Sequence, residues 1–97
     1  MSVQSPAGDA RANNVTVRYW AAARAAAGVE TEQVDATTLA ELTAEVVRRR
    51  PGDRRFADVL AICSVLVGEV PVGGREHRDV TLDDGATIEF LPPFAGG

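Results

Sequence analysis

The sequence contains no lysine, and all ten of the basic residues among its 97 positions are arginines. Fourteen acidic residues outnumber them and leave a formal net charge of −4 at pH 7. Nucleic-acid binding requires a positive surface that releases counterions from phosphates, so an acidic chain of this size is not expected to bind nucleic acid. A basic cleft on another protein is the better electrostatic match.

Nucleophilic and metal-binding side chains are also scarce, since the sequence has one cysteine, Cys63, and one histidine, His77. One cysteine excludes an internal disulfide, a four-thiolate iron–sulfur cluster and any zinc site with several cysteines. Cys63 lies in an apolar stretch, which favours a buried side chain without a chemical role. His77 lies in the polar segment GGREHRD, which favours a solvated loop. Asp83 and Asp84 precede a glycine, as turn residues do, so neither a metal site nor a catalytic triad is predicted.

Long apolar runs are missing as well. No window approaches the 18 apolar residues of a membrane span, and the start, MSVQSPAGDARANN, lacks the charged and apolar regions of a secretory signal. With the single cysteine, this predicts a cytoplasmic protein without membrane association. Hydrophobic residues at 45% and charged residues at 25% nevertheless indicate a packed domain, and the length suits only one.

Hydrophobic patterning divides the chain into a flexible N-terminal extension (1–13), a domain (14–91) and an extended C-terminal tail (92–97). Strands are predicted where apolar and polar residues alternate or β-branched residues cluster, at 15–19, 29–35, 64–67, 70–72 and 87–91. Residues 21–27 are predicted to be a turn with some helical character, because seven residues are too few to hold a helix without packing.

One main helix is predicted after Thr38, which can cap it while Glu41 completes a capping box. The helix has about twelve residues, ends before Pro51 and is followed by one further helical turn around Phe56. Placed between two predicted strands, such a helix is the crossover expected when strands become parallel neighbours. The predicted fold class is therefore α+β, with a mixed sheet of four to five strands packed on one main helix.

The C-terminal tail, LPPFAGG, is the segment that most clearly carries chemistry. Pro92 and Pro93 cannot donate to a sheet ladder and fix an extended backbone, so the last strand must end and the chain must project. Because Gly96 and Gly97 lack Cβ atoms, the tip is suited to threading a narrow channel, with the Gly97 carboxylate as the reactive group. A frayed terminus explains the same residues equally well.

A second prediction concerns the outer face of the sheet. Alternation that turns Tyr19 and Phe90 toward the core turns Trp20 and Leu91 away from it. If the first and last strands are neighbours, these two residues form an exposed apolar patch beside the tail, which is typical of an interface; an incidental pair covered by the N-terminal extension is the alternative. The predicted partner-binding residues are Trp20, Leu91, Pro92, Pro93, Phe94 and Ala95.

The stretch DDGATIEFLPPFAGG resembles the C-terminal signature of the MoaD family, the small sulfur-carrier subunits of molybdopterin synthase, and VTVRYWAAARAAAG resembles the family's first strand and turn. The resemblance runs from about Val15 to Gly97 and implies the ubiquitin-like β-grasp fold. Gly68 departs from the pattern, because many relatives carry asparagine there, and the N-terminal extension is longer than the family requires.

The resemblance implies a consumable sulfur donor rather than a catalyst. A MoeB-like adenylyltransferase of the ubiquitin-activating type would use ATP and Mg to convert the Gly97 carboxylate into an acyl adenylate, and a sulfur donor would then leave a thiocarboxylate. A MoaE-like large subunit would accept the tail, supply the catalytic groups and pass the sulfur to precursor Z. No permanently bound cofactor is expected.

Several classes of protein with other functions also end in two glycines. They include a ThiS-like carrier for thiazole synthesis and a carrier for cysteine biosynthesis or another thiolation. A modifier that forms isopeptide bonds is a further alternative, although the sequence offers no lysine for chain building. A non-reactive ubiquitin-like binding module would have the same fold.

Overall fold

A computed structural model describes residues 13–93. Along the chain the elements are β1 (Asn13–Tyr19), α1 (Ala21–Ala27), β2 (Thr31–Ala36), α2 (Leu39–Arg48), α3 (Arg54–Ala61), β3 (Ser64–Val67), β4 (Val70–Pro71), a 3₁₀ turn (His77–Asp79) and β5 (Thr87–Leu91). The strands form one mixed sheet in the order β2-β1-β5-β3-β4. The α+β prediction with a sheet of four to five strands is thus confirmed, and the sheet has five.

The central pair of strands, β1 and β5, is parallel, and every other neighbouring pair is antiparallel. The prediction that the helical crossover joins parallel neighbours was wrong, because it joins β2 to β3, which β1 and β5 separate. The parallel pair instead consists of the first and last strands. Both strands therefore end at the same edge of the sheet.

Helical structure is more extensive than one main helix. Residues 21–27 form a helix rather than the predicted turn, because Ala23 is fully buried against the core and Gly28, at φ 83°, ends the helix in the left-handed conformation. α3 has eight residues rather than one turn, since the Asp53 carboxylate accepts from the Phe56 N–H at 2.9 Å and Phe56 is fully buried. Among residues 13–93, no helix is long and apolar enough to cross a bilayer.

α2 begins as predicted at Thr38, whose side chain accepts from the Glu41 N–H at 3.1 Å. Glu41 Oε1 accepts from the backbone N–H of Thr37 at 2.9 Å and from its hydroxyl at 2.7 Å. The carboxylate thus lies in the first turn, where the helix dipole favours a negative charge, and its hydrogen bonds with Thr37 hold the pKa of Glu41 below its usual range.

The core lies between one face of the sheet and the helices. The predicted inward parity of β1 is confirmed, since Val15 and Val17 are fully buried and Tyr19 is 1% exposed. Tyr19 packs edge-on against Phe56 of α3, at 5.7 Å between ring centroids, and stacks on Phe90 of β5 at 6.0 Å. These aromatic contacts join the end of β1 both to its neighbouring strand and to α3.

The glycine at position 68, where many members of the MoaD family carry asparagine, has a local explanation. Val67 pairs with Val70, so Gly68 and Glu69 form a two-residue hairpin turn, and Gly68 takes φ 63°. A positive φ at the first turn position of such a hairpin is the geometry that favours glycine. The Gly68 N–H also donates to Thr87 O at 2.8 Å, which ties the turn to the start of β5.

Ala21 is the only non-glycine residue with a positive φ, 49°, among residues 13–93. A left-handed alanine is strained by about 1–2 kcal/mol, so Ala21→Gly should leave the melting temperature unchanged or raise it. Ala22→Gly, at an exposed helical position, should instead destabilise the fold by about 1 kcal/mol. Thermal melts of the two variants check this, and equal losses would contradict the left-handed assignment.

Candidate functional site

The candidate site is the sheet edge from which the C-terminal tail leaves. Tyr19 is in register with Phe90, and the Trp20 N–H extends the pairing by donating to Phe90 O at 3.1 Å. Trp20 therefore lies alongside Leu91, at the point where β5 ends before Pro92. The predicted adjacency of the first and last strands is confirmed, and Trp20 is 43% exposed.

The tail itself is described only at its root. Leu91 and Pro92 are half-buried and Pro93 is exposed. Strand β5 ends at Leu91, directly before the two prolines, as their missing N–H groups require. The predicted site residues Phe94, Ala95, Gly96 and Gly97 lie outside the described residues.

Two further apolar residues share the outer face with Trp20 and Leu91. Leu66 of β3 is half-buried and pairs with Glu89 of β5 on one side and with Pro71 of β4 on the other. Directly opposed residues share a face, so Leu66 and Pro71 belong to the same surface. Together, Trp20, Leu66, Pro71 and Leu91 form what we term the outer-face patch. Leu66 was not predicted as part of this surface, although the alternation with the neighbouring buried Val65 indicates that it faces outward.

A charged pair lies within this apolar surface. Arg18 of β1 is in register with Glu89 of β5. The Trp20 indole N–H donates to Glu89 Oε1 at 2.8 Å, and Arg18 Cζ lies 5.5 Å from the Trp20 ring centroid. The two opposite charges therefore flank the exposed indole.

A second polar cluster lies on the inner face of the sheet, around Tyr19 at the end of β1. The Tyr19 hydroxyl and the Arg50 guanidinium both donate to Glu32 Oε2, the latter at 2.7 Å. Burial and the hydrogen bond with Glu32 raise the pKa of Tyr19 well above its usual range. Burial alone would raise the pKa of Glu32, but hydrogen bonds from Tyr19 and Arg50 hold it below its usual range. All of these groups have partners within the fold, which indicates a structural role.

The other sequence candidates do not form a reactive cluster. Burial raises the pKa of Cys63 to about 11, and its Sγ lies 3.2 Å from Val59 O. His77 is exposed on the 3₁₀ turn. Asp84 accepts from the Asn14 N–H at 2.8 Å, so it fixes the start of β1. Residues 13–93 contain no group of three or more side chains suited to hold a metal ion.

Comparison with known proteins gives one match to a protein family. The sequence model of the ThiS family matches residues 17–97. This range includes β1 from Val17 onward, the outer-face patch and the whole tail. A comparison with curated proteins finds no match.

Solved structures with the same fold come from several lineages. The small archaeal modifier protein 1 from Methanosarcina acetivorans superposes with a TM-score of 0.71 at 18% identity, over 90% of this chain and 99% of that one. A chain from the complex of subunits 1 and 2 of the molybdopterin-converting factor from Helicobacter pylori superposes with a TM-score of 0.62 at 24% identity, over 87% of this chain and 99% of that one. Urm1 from Trypanosoma brucei superposes with a TM-score of 0.66 at 24% identity, over 89% of this chain and 97% of that one. At these identities the likeness establishes the β-grasp fold alone.

Proposed function

The chain belongs to the ThiS family of ubiquitin-like sulfur carriers, and on that premise we propose that it is the sulfur-carrying small subunit of a cytoplasmic molybdopterin synthase. The observation that supports the proposal is the juxtaposition at the tail root. There, the parallel pairing of β1 with β5 brings the exposed Trp20 beside Leu91, directly before the tail PPFAGG. An apolar docking surface and a reactive terminus are thus continuous, as a subunit that inserts its tail into a partner requires.

In this proposal the Gly97 carboxylate is the only group of the chain that reacts. A MoeB-like adenylyltransferase joins it to the α-phosphate of ATP, with Mg, and pyrophosphate leaves. A sulfur donor at the oxidation level of sulfide, such as hydrosulfide, then attacks the acyl carbon, AMP departs with the bonding electron pair, and a thiocarboxylate remains. AMP is a much better leaving group than the oxygen of a free carboxylate, which is why activation by ATP precedes sulfur transfer.

The described residues act by presentation rather than catalysis. Pro92 and Pro93 prevent the sheet from continuing and aim the chain outward, while the outer-face patch docks on a MoaE-like large subunit. That subunit passes the sulfur to precursor Z, and water cleaves the acyl–sulfur bond and supplies the oxygen that returns the carrier to a carboxylate. Catalytic groups therefore belong to the partner in this proposal.

The direct test is the intact mass of the chain after incubation with a MoeB-like enzyme, ATP, Mg and a sulfur donor. The proposal expects one oxygen to be replaced by sulfur, and tandem fragmentation should place the change at Gly97. Omission of ATP is the matched control and should leave the mass unchanged. If no oxygen is replaced by sulfur with any cognate activating enzyme, the proposal is wrong and the chain is better explained as a non-reactive binding module.

A second measurement separates the pathways that share this chemistry. The thiocarboxylate form, mixed with a MoaE-like subunit and precursor Z, is expected to yield a dithiolene. A carrier that instead supports thiazole formation, or that becomes attached to target lysines, would support the ThiS-like or modifier alternative. The small archaeal modifier protein of the same fold makes the last outcome worth measuring.

Trp20→Ala and Leu91→Ala should weaken binding to the large subunit more than they destabilise the fold. Both residues lie on the outer face, and truncation of an interface anchor typically costs about 2 kcal/mol or more. Calorimetric titration beside a denaturant melt compares the two effects. Thr87→Ala, an outward substitution nearer the start of β5, is the control and should change neither quantity much. Unchanged affinity with a large loss of stability would reject this role of the face.

A further inference from the structure

Trp20 combines an exposed side chain with a backbone that is hydrogen-bonded on both sides. Its N–H donates to Phe90 O at 3.1 Å, and its carbonyl accepts from the N–H of Ala23 at 2.9 Å and of Arg24 at 3.2 Å. Its donor and acceptor thus join β5 on one side and the first turn of α1 on the other. The backbone of an exposed residue is held here by two separate elements of the fold.

The next residue adds strain to these constraints. Ala21 takes φ 49° at the junction between β1 and α1. This left-handed backbone at a non-glycine residue, strained by about 1–2 kcal/mol, persists only where the surroundings impose it. Such strain concentrates at binding and catalytic sites, and here it lies directly beside the largest exposed aromatic side chain of the described residues.

The Trp20 side chain is also held in place. Its indole N–H donates to Glu89 Oε1 at 2.8 Å, across the β1–β5 pair, and the Arg18 guanidinium lies against the ring at 5.5 Å. An exposed tryptophan without such contacts samples several rotamers, and binding then has to remove that freedom. Glu89 and Arg18 reduce this cost before any partner arrives.

We propose that Glu89, assisted by Arg18, is a positioning residue that holds the Trp20 indole in its docking orientation in the free protein. Because the indole N–H is already bonded to Glu89 and Arg18 lies against one side of the ring, the part of the indole that remains exposed is apolar and has no free hydrogen-bond donor. The matching site on the partner is then an apolar slot without a hydrogen-bond acceptor for the indole. The identity of the partner as the tail-accepting subunit rests on the proposed function; the preordering of Trp20 does not.

The free protein tests the preordering directly, because Trp20 is the only tryptophan in the chain. Its indole N–H should exchange slowly with solvent, and its fluorescence anisotropy should show a restricted ring. Glu89→Ala should accelerate the exchange and free the ring, whereas Glu89→Gln, which keeps an acceptor oxygen, should largely preserve both. A wild-type indole that exchanges as fast as in Glu89→Ala would overturn the proposal.

Partner binding then tests whether Glu89 acts through Trp20. Titrated with the MoaE-like large subunit, Glu89→Ala should bind about tenfold more weakly than the wild type, which corresponds to about 1.4 kcal/mol, and Glu89→Gln should be close to the wild type. In a Trp20→Phe background, which has no indole N–H, Glu89→Ala should cause little further loss. An equal loss in both backgrounds would mean that Glu89 contacts the partner itself and would refute the positioning role.

The two proposals fail in different experiments. If the wild type binds no large subunit or never acquires sulfur, the proposed function is wrong, while the indole exchange of the free chain still decides whether Glu89 orders Trp20. If sulfur transfer proceeds but the free indole is unrestricted, only the positioning role is wrong. A denaturant melt of each Glu89 variant checks that the fold is retained.

Discussion

Deletion of Gly97 is expected to abolish thiocarboxylate formation while leaving the melting curve and the affinity for the large subunit nearly unchanged. The carboxylate must meet the α-phosphate of ATP in line, and a displacement of about an ångström from attack geometry can cost roughly a hundredfold in rate. Removal of one residue moves the carboxylate by about 3.3 Å along an extended chain. Intact mass after a timed reaction with the activating enzyme measures the loss.

Two further variants distinguish the position of the terminal carboxylate from the absence of side chains beside it. One alanine added after Gly97 keeps both glycines but moves the carboxylate, and it should be as inactive as the deletion. Gly96→Val keeps the length but introduces a β-branched side chain into a channel shaped for bare backbone, so it should also slow activation severely.

Deletion of residues 2–10 is the matched control, because β1 begins at Asn13, at the far end of the sheet from the edge where Leu91 lies. This truncation should leave activation intact. Full cofactor-forming activity of the Gly97 deletion would rule out the carrier mechanism.

The largest loss of stability is expected for Arg50→Met. Arg50 is only 13% exposed in its side chain, donates to Glu32 Oε2 at 2.7 Å and to the carbonyl oxygens of Val46 and Ala27 at 2.9 and 3.3 Å, and lies 4.4 Å from the Phe56 ring centroid. Arg49 also pairs with Glu32, at 3.2 Å, so the variant keeps one arginine beside this mostly buried carboxylate but loses its shorter contact. With the two carbonyl contacts and the stacking on Phe56 lost as well, the expected loss is about 3 kcal/mol in the free energy of unfolding.

Arg48→Met provides the matched control two residues away. Arg48 also pairs with a carboxylate, that of Glu45 at 2.7 Å, but its side chain is 73% exposed. Solvent-exposed pairs of this kind contribute little to stability, because water and salt screen the two charges. Denaturant melts of both variants at neutral pH should therefore differ clearly, and equal losses would show that burial does not distinguish the two arginines.

The difference between Arg50→Met and the wild type should also depend on pH. In the folded state the pKa of Glu32 is held below the ordinary glutamate value of about 4.3. Its contribution is therefore fully present above that value and is lost as the pH falls through the folded pKa. Arg50→Met raises the pKa of Glu32 toward its ordinary value, so the stability gap should narrow on acidification. A gap that stays constant would mean that Arg50 acts only through stacking and its carbonyl contacts.

Local sequence signals were sufficient for part of this molecule. Alternation in β1 and β5, the Thr38 cap of α2 and the prolines that end β5 each depend on residues a few positions apart. The same alternation predicted that Trp20 and Leu91 face away from the core. The α+β class followed from the same short-range patterns, whereas the β-grasp fold followed from the family resemblance.

Other features depended on tertiary contacts. α1 is a helix because the core buries Ala23, and α3 extends beyond one turn because Phe56 packs against Tyr19, which is 37 positions earlier in the numbering. Propensity favours a helix at the alanine run but does not stabilise seven residues by itself. The packing that stabilises it comes from strands distant in the chain.

The candidate site shows the same division. The prolines and glycines of the tail are visible in the sequence, but the contacts around Trp20 are not, because Glu89 is 69 positions away and reaches the indole only through the parallel β1–β5 pairing. Leu66 likewise joins the outer-face patch through its cross-strand neighbours. The sequence by itself determined which residues alternate, cap and terminate, because those effects act over a few residues along the chain. Only the tertiary structure decided which side chains meet across the sheet, because strand order and register bring together residues that no local pattern connects.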